Sequence, residues 1–169
     1  MLYHLSIATM RLMAPLAARV CVGGRERVPR QGGLVLVSNH ISHFDPHLLA
    51  MASPRRIDWM ASDVLFKNRF SAFYFRHVRT IFVRQYQADH GALREAIRRA
   101  RQGRCIGVFP EGGIRAGEGS LVGGTPSLYE GAFMIAILGR APILPALVLG
   151  TDRLYAPKNL WKRPPLWFR

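Results

Sequence analysis

Acidic residues are scarce in this chain of 169 residues, where 10 Asp and Glu stand against 24 Lys and Arg for a formal net charge of +14. Such an excess of positive charge favours polyanionic partners, namely nucleic acid, anionic lipid headgroups or phosphorylated substrates. Charge alone does not choose among these classes. The aromatic residues are not interleaved with the basic runs as base-stacking platforms would be, so we predict no nucleic-acid partner.

Cysteine is equally rare, since Cys21 and Cys105 are the only two in the sequence. Two cysteines do not make a disulfide framework. Cys105 lies in an apolar run, where a free cysteine usually behaves as a small hydrophobic residue. The sequence therefore favours a reducing, cytoplasmic setting.

A long uncharged apolar run is also missing from the N-terminus. Residues 1–22 are apolar but contain Arg11 and Arg19, with Pro15 between them. A membrane span needs about 20 nearly uncharged residues, and a signal peptide carries its positive charge before the apolar stretch. We therefore predict an amphipathic helix over 1–22 that lies in the membrane interface, followed by a single domain over 23–169. The alternative is an ordinary amphipathic helix packed on its own domain.

Short apolar runs recur along the rest of the chain, in which 49% of all residues are hydrophobic. They predict buried strands at 34–38, 79–83, 105–109 and 142–149. Helical spacing predicts an amphipathic helix over 89–103, capped by Asp89, and a more buried helix over 127–140. This alternation indicates an α/β fold with a mixed, largely parallel sheet flanked by helices and right-handed crossovers.

Two polar loops follow predicted strands, at the positions where α/β sheets form their sites. "SNHISHFDP" follows the strand at 34–38, and "PEGGIRAGEGS" follows the strand at 105–109. The first loop supplies imidazole groups. The second supplies a glutamate, an arginine and four glycines, whose amides could approach an anion closely.

His40 and Asp45 in the first loop have the residue types of a general base and its orienting partner. A carboxylate that accepts from one imidazole nitrogen leaves the other nitrogen free to take a proton from an alcohol. In the alternative interpretation, Asp45 only caps a helix that begins at Asp45-Pro46, and His40 only satisfies a loop carbonyl. A metal site built from His40, His43, Asp45 and His47 is disfavoured, because ligands on one loop must converge on one point. We predict no metal.

The ordered set of motifs resembles the glycerolipid acyltransferase family, which includes bacterial lysophosphatidic acid acyltransferases. The resemblance runs from about Val20 to the C-terminus. It rests on Asn39, His40 and Asp45, on "TIFVR" at 80–84, on Phe-Pro-Glu-Gly at 109–112, and on a strand with Pro142 and Pro145. The resemblance implies a glycerol-3-phosphate acyltransferase-like fold.

The resemblance also implies a reaction. His40 would take a proton from an acceptor hydroxyl, Asp45 would orient it, and the alkoxide would attack an acyl thioester carried by CoA or acyl carrier protein, without a cofactor. The acceptor would most simply be 1-acylglycerol-3-phosphate, in phospholipid biosynthesis. The enzyme would be a peripheral membrane protein at the cytoplasmic face of the inner membrane.

On the same basis, Glu111, Gly112, Gly113 and Arg115 would shape the acceptor site. Arg84 and Arg115 would be candidate phosphate ligands, because guanidinium groups bind phosphate in bidentate fashion.

Departures from the family pattern fall where the acceptor would be bound. Gly113 and Ile114 precede Arg115, which displaces the arginine by one residue from its usual place. Arg84-Gln85 stands where Asp-Arg is commonest, and Arg79 or Thr80 stands where glycine is usual. Another acceptor, such as lyso-ornithine lipid or a glycolipid, therefore stays open, as does a non-catalytic lipid- or nucleic-acid-binding protein. "PPLWFR" resembles the start of a strand that family members continue, so we also predict a chain trimmed at its C-terminus.

Overall fold

The computed structural model describes residues 2–66, 68–84, 88–115, 120–124, 128–156 and 162–169. In these ranges the helices are α1 (Leu2–Ala17), α2 (Asp45–Ala52), α3 (Arg69–His77), α4 (His90–Arg101) and α5 (Gly131–Gly139). The strands are β1 (Arg19–Val22), β2 (Leu34–Ser38), β3 (Ile57–Ser62), β4 (Ile81–Val83), β5 (Cys105–Val108), β6 (Ile143–Ala146), β7 (Val148–Leu149) and β8 (Pro165–Phe168).

Five parallel strands form the main sheet in the order β4-β3-β5-β2-β6. Because successive side chains of a strand point to opposite faces, Val35 and Leu36 belong to different halves of the core. Val35 packs in the cluster that contains residues of α4 and α5. Leu36 belongs to a cluster on the other face. The predicted α/β fold with a largely parallel sheet is confirmed.

A second, three-stranded sheet has the order β1-β8-β7, with β1 parallel and β7 antiparallel to β8. The helix predicted over 1–22 is shorter than expected and is observed only from Leu2 to Ala17. Residues 19–22 form β1 instead, because Val20 and Val22 are β-branched and this segment pairs with 165–168. The strand start predicted in "PPLWFR" is β8.

Other predicted elements differ from the observed ones in extent or burial. The apolar run at 142–149 is divided at Leu147, whose amide and carbonyl both bond to Arg169. The helix predicted over 127–140 is observed over Gly131–Gly139, and its apolar side chains are only partly buried, since Phe133 is 56% and Ile137 72% exposed. Helix α5 instead packs through Ala132, Ile135 and Gly139. β3 and α3 were not predicted, because Asp58 interrupts the apolar residues of β3 and α3 contains only the short apolar run 72–75.

Helix α1 packs against α2 and α3. Tyr3, Ile7 and Ala14 are its buried residues and join the core cluster of α2. Leu12 and Leu16 on its outer side are exposed. In the described part of the chain, no helix is both long and apolar enough to cross a membrane.

Candidate active site

The two predicted loops meet at the carboxyl edge of the main sheet because β2 and β5 are neighbours. The backbone amide of Arg115 donates to the carbonyl of His40 at 2.8 Å. In the other direction, the amide of His40 donates to Oε2 of Glu111 at 2.9 Å. Both backbone groups of His40 are therefore held by the second loop.

The carboxylate of Asp45 turns back onto the residues that precede α2. Its Oδ2 lies 3.0 Å from His40 Nδ1 and accepts the amides of Ile41 and Ser42, each at 2.8 Å. Asp45 is fully buried. Since an ionised carboxylate only accepts hydrogen bonds, Nδ1 carries the proton and Nε2 is left as a bare acceptor. This is the tautomer that a general base needs.

Thr151 completes the surroundings of Asp45. Its hydroxyl donates to Asp45 Oδ1 at 2.5 Å, and the residue is fully buried. No motif in the sequence indicates Thr151, although it follows Gly150 directly after the last strand of the apolar run at 142–149. A hydroxyl residue at the carboxyl end of a predicted parallel strand was the available signal.

Thr151 should be a positioning residue for the base. We expect Thr151→Val to lower kcat by roughly tenfold, the equivalent of about 1.4 kcal/mol, because Asp45 Oδ1 loses its donor. Thr151→Ser keeps the hydroxyl and should stay within about twofold of the wild type. Steady-state kinetics of both variants measures this. If Thr151→Val and Thr151→Ser lower kcat equally, the hydroxyl group is not what positions Asp45.

Aromatic rings support the imidazole of His40 from one side. The ring of Phe109 stacks on it with centroids 4.0 Å apart, and Trp59 stacks on Phe109 at 4.8 Å. Trp59 lies across Gly107, where a Cβ atom would meet the indole ring at 2.4 Å. Position 107 therefore needs glycine, and the stack fixes the plane of the His40 ring.

Two buried polar side chains hold the backbone around this base. Asn39 exchanges two hydrogen bonds of 2.8 Å with the backbone of Val148, which ties the end of β2 to β7. Glu111 is 1% exposed, and its second oxygen accepts the amide of Leu121 at 2.8 Å. Both oxygens of Glu111 thus accept backbone amides. The predicted role of Glu111 in shaping the acceptor site stays a prediction.

The glycines and arginine of the second loop lie beside this framework. Gly112 adopts a left-handed φ of 70°, and a Cβ atom there would lie 2.3 Å from the ring of Tyr129. Gly113 is half-buried, while Arg115 is exposed next to His40. Residues 116–119 of the predicted anion-binding loop lie outside the described part of the chain.

Arg84 lies away from the other predicted site residues. It follows β4, which β3 and β5 separate from β2, so the strands are about 14 Å apart at the usual spacing. Its backbone amide and Nε lie 3.0 and 3.4 Å from Oδ2 of Asp89, the cap of α4. The amides of Ala92 and Arg84, together with this guanidinium, lower the pKa of Asp89 to about 2.

The other two histidines of the first loop have separate partners. The amide of His43 donates to the hydroxyl of Tyr155 at 2.8 Å, and its ring meets Tyr155 edge to face. His47 Nε2 lies 3.3 Å from the hydroxyl of Tyr74, and burial lowers the pKa of His47. Among the residues that the structure describes, no three His, Cys, Asp or Glu side chains are grouped so that they could hold a metal ion.

Comparison with known proteins shows which family the chain resembles. The family model described as "Acyltransferase" matches residues 19–149. The chain is 25% identical over 163 residues to the 1-acyl-sn-glycerol-3-phosphate acyltransferase of Bacillus subtilis (strain 168), covering 96% of this chain and 77% of that protein. It is 27% identical over 144 residues to the enzyme of the same name from Borreliella burgdorferi, covering 84% of this chain and 55% of that protein.

A solved structure extends the comparison to three dimensions. The crystal structure of the 1-acyl-sn-glycerophosphate (LPA) acyltransferase PlsC from Thermotoga maritima superposes with a TM-score of 0.74 at 26% identity, covering 99% of this chain and 67% of that one. The predicted resemblance and fold are both confirmed. The chain belongs to the acyltransferase family, and its named relatives are O-acyltransferases.

Proposed function

We propose that this protein transfers a fatty acyl group from an acyl thioester to the hydroxyl of a lysophospholipid, most simply 1-acylglycerol-3-phosphate. The observation that carries the proposal is the His40–Asp45 pair, in which Nδ1 is bound to a buried carboxylate at 3.0 Å and Nε2 is left to accept a proton. The names of the relatives support the choice of acceptor.

The reaction needs only groups that this site and the substrates supply. Nε2 of His40 takes the proton from the acceptor hydroxyl as its oxygen attacks the carbonyl carbon of the thioester. The carbon–sulfur bond then breaks, and the proton passes from His40 to the departing thiolate, giving an ester and a free thiol. The negative charge of Asp45 stabilises the imidazolium formed in between. No covalent acyl-enzyme and no cofactor is required.

The experiment that tests this function is an acceptor and donor panel. Acyl-CoA and acyl carrier protein carrying a labelled chain are offered with lysophosphatidic acid, other lysophospholipids, lyso-ornithine lipid and lysoglycolipids. We expect thiol release coupled to formation of phosphatidic acid. If labelled product forms only on another lysolipid, that lysolipid is the acceptor. If thiol release does not depend on any acceptor, the proposal is refuted.

Arg115 should bind the acceptor's phosphate, because its backbone contacts His40 and its side chain is exposed there. A charge-assisted contact contributes about 1.5 to 3 kcal/mol, so Arg115→Ala should raise the acceptor KM roughly ten- to hundredfold and leave the donor KM nearly unchanged. Arg84→Ala is the matched control, because that guanidinium already has Asp89 as a partner. If Arg84→Ala raises the acceptor KM and Arg115→Ala does not, the assignment is reversed.

We further propose that the outer face of α1 and α3 rests in the headgroup region of a bilayer, at the cytoplasmic face of the inner membrane. Large apolar side chains are exposed on both helices, namely Leu5, Leu12, Leu16, Phe70 and Phe73. Arg11 and Arg69 are exposed on the same helices. Apolar side chains flanked by arginine suit an anionic interface, where the net charge adds electrostatic attraction.

Exchanging one exposed leucine for a charge tests this orientation. Leu12 on α1 is 71% exposed, and Ile137 on α5, across the sheet, is 72% exposed. A buried leucine contributes about 1.5 to 3 kcal/mol, so Leu12→Glu should weaken partitioning onto anionic vesicles at least tenfold. Ile137→Glu is the matched control and should change partitioning only slightly. The reverse pattern in a vesicle sedimentation assay would place α5 on the membrane.

A further inference from the structure

Arginines concentrate at the amino edge of the main sheet, which is the edge opposite His40. Each segment that leads into a strand of this sheet carries at least one, and these include Arg30, Arg56, Arg79, Arg104 and Arg140. The acidic residues near this edge are few, and Asp58 is the buried one. Because parallel strands begin at the same edge, the fold gathers these positive charges.

Guanidinium groups surround Asp58 near the start of β3. Arg99 approaches its Oδ2 at 3.2 Å, and Arg104 contacts the same oxygen. Arg56 Nε lies 3.7 Å from Oδ1. Arg99 is additionally bonded to Glu95 at 2.6 Å. The buried carboxylate of Asp58 is therefore the ion-pair partner of Arg56 and Arg104. Arg99 pairs with both Asp58 and Glu95.

Positive charge at this cluster exceeds the negative charge that faces it. Arg56 Nε is buried and makes no hydrogen bond within the described part of the chain. Burial lowers the pKa of Arg56, Asp58 opposes this shift, and the nearby charges of Arg79 and Arg104 lower the pKa further. Guanidinium groups held this close repel one another unless an anion lies between them.

Arg79 stands at a backbone position that favours glycine. Its φ is 63°, in the left-handed region that costs free energy for residues with a side chain. Its carbonyl accepts from Arg99, so the turn itself is part of the cluster. The side chain is exposed, and its charge is close enough to Arg56 to lower the pKa of that guanidinium.

We propose that Arg56, Arg79 and Arg104 bind a phosphate group at the amino edge of the sheet, at a site separate from the catalytic loop. Guanidinium groups bind phosphate in bidentate fashion, and the bound dianion would supply the missing negative charge. The site can be filled by a lipid headgroup or by a free phosphate ester.

The surroundings favour a lipid headgroup as the source. The guanidinium of Arg56 lies 4.5 Å above the ring of Tyr3 in α1. It also bonds to the carbonyl of His77 at the end of α3, at 3.4 Å. The cluster is thus at the ends of the two helices proposed to contact the bilayer. The choice of lipid rests on that proposal, whereas the phosphate site does not.

The test compares Arg79→Gln with Arg140→Gln. Both arginines are exposed, both have a left-handed φ (63° and 52°), and both lie at this edge. Arg79→Gln leaves the ion pairs of Asp58 in place and should fold, whereas Arg56 or Arg104 variants would disturb the core. Inorganic phosphate is titrated at constant ionic strength, with thermal unfolding and calorimetry as readouts. A second arm measures binding to phosphatidylcholine vesicles with and without phosphatidic acid.

We expect phosphate to stabilise the wild type and Arg140→Gln equally, with at least fivefold weaker affinity in Arg79→Gln. Binding to phosphatidic acid vesicles should fall by a similar factor in Arg79→Gln only. Weaker phosphate binding with unchanged vesicle binding supports the site and overturns the lipid source. The site is overturned if phosphate stabilises the protein no more than chloride does. It is also overturned if both variants lose phosphate affinity equally. Acyl transfer to a detergent-solubilised acceptor is measured in the wild type, and its absence there would refute the proposed function while leaving the phosphate measurement valid.

Discussion

We expect His40→Ala to lower kcat for acyl transfer by about 10²- to 10⁴-fold, the usual contribution of a general base. The reason is geometric as well as chemical. The imidazole is held by Asp45 at one nitrogen and by Phe109 across one face, at 3.0 and 4.0 Å. No water recruited into the space of the lost ring would be held in that orientation. Stopped-flow detection of thiol release measures the rate.

His43→Ala is the control for this loss. Its ring faces Tyr155 rather than Asp45, so we expect activity within about threefold of the wild type. Circular dichroism checks that both variants are folded. If His43→Ala loses as much activity as His40→Ala while remaining folded, the base has been assigned to the wrong histidine.

We expect Asp45→Ala to have its largest effect on stability. The substitution leaves the half-buried amide of Ile41, the buried amide of Ser42 and the hydroxyl of Thr151 without their acceptor. Removing one partner of such a buried charged network destabilises a protein by about 3 to 5 kcal/mol. We expect chemical denaturation to show a loss of this size in the free energy of unfolding.

Asp45→Asn separates the structural role of the side chain from the role of its charge. The backbone amides of Ile41 and Ser42 donate hydrogen bonds, so the side-chain oxygen of asparagine should take the position of Oδ2. The side-chain NH₂ can then donate to the Thr151 hydroxyl. Most of the stability should therefore return, while kcat falls about 10- to 100-fold because the imidazolium loses its counter-charge. Equal unfolding free energies for the Ala and Asn variants would contradict this account.

The hydrogen-bonded pair of His40 and Asp45 could be predicted because it is local in the sequence. His40 and Asp45 lie on one loop after an apolar strand, and the second loop follows the strand that proves to be its neighbour. Thr151 could not be assigned to Asp45 in the same way, since 106 positions separate them and only the strand order brings them together. Arg84 shows the same limit, because its motif did not reveal that β4 is the edge strand.

The ends of some helices and strands depend on pairing with segments that are distant in the sequence. The apolar segment 19–22 is compatible with either helix or strand, and its pairing with β8 near the C-terminus decides for strand. Likewise, the uniformly apolar sequence of α5 predicted burial. The small residues Ala132 and Gly139 instead let the helix pack closely on one side and leave Ile137 exposed.

The most direct test of the central claim, that His40 and Asp45 act as one unit, is a double-mutant cycle with His40→Ala, Asp45→Asn and the double variant in single-turnover acyl transfer. Residues that act as a unit are strongly non-additive. We predict that the double variant is within about threefold of His40→Ala alone, because the counter-charge has no imidazolium left to stabilise. A double variant slower than His40→Ala by the full factor of Asp45→Asn would contradict the account.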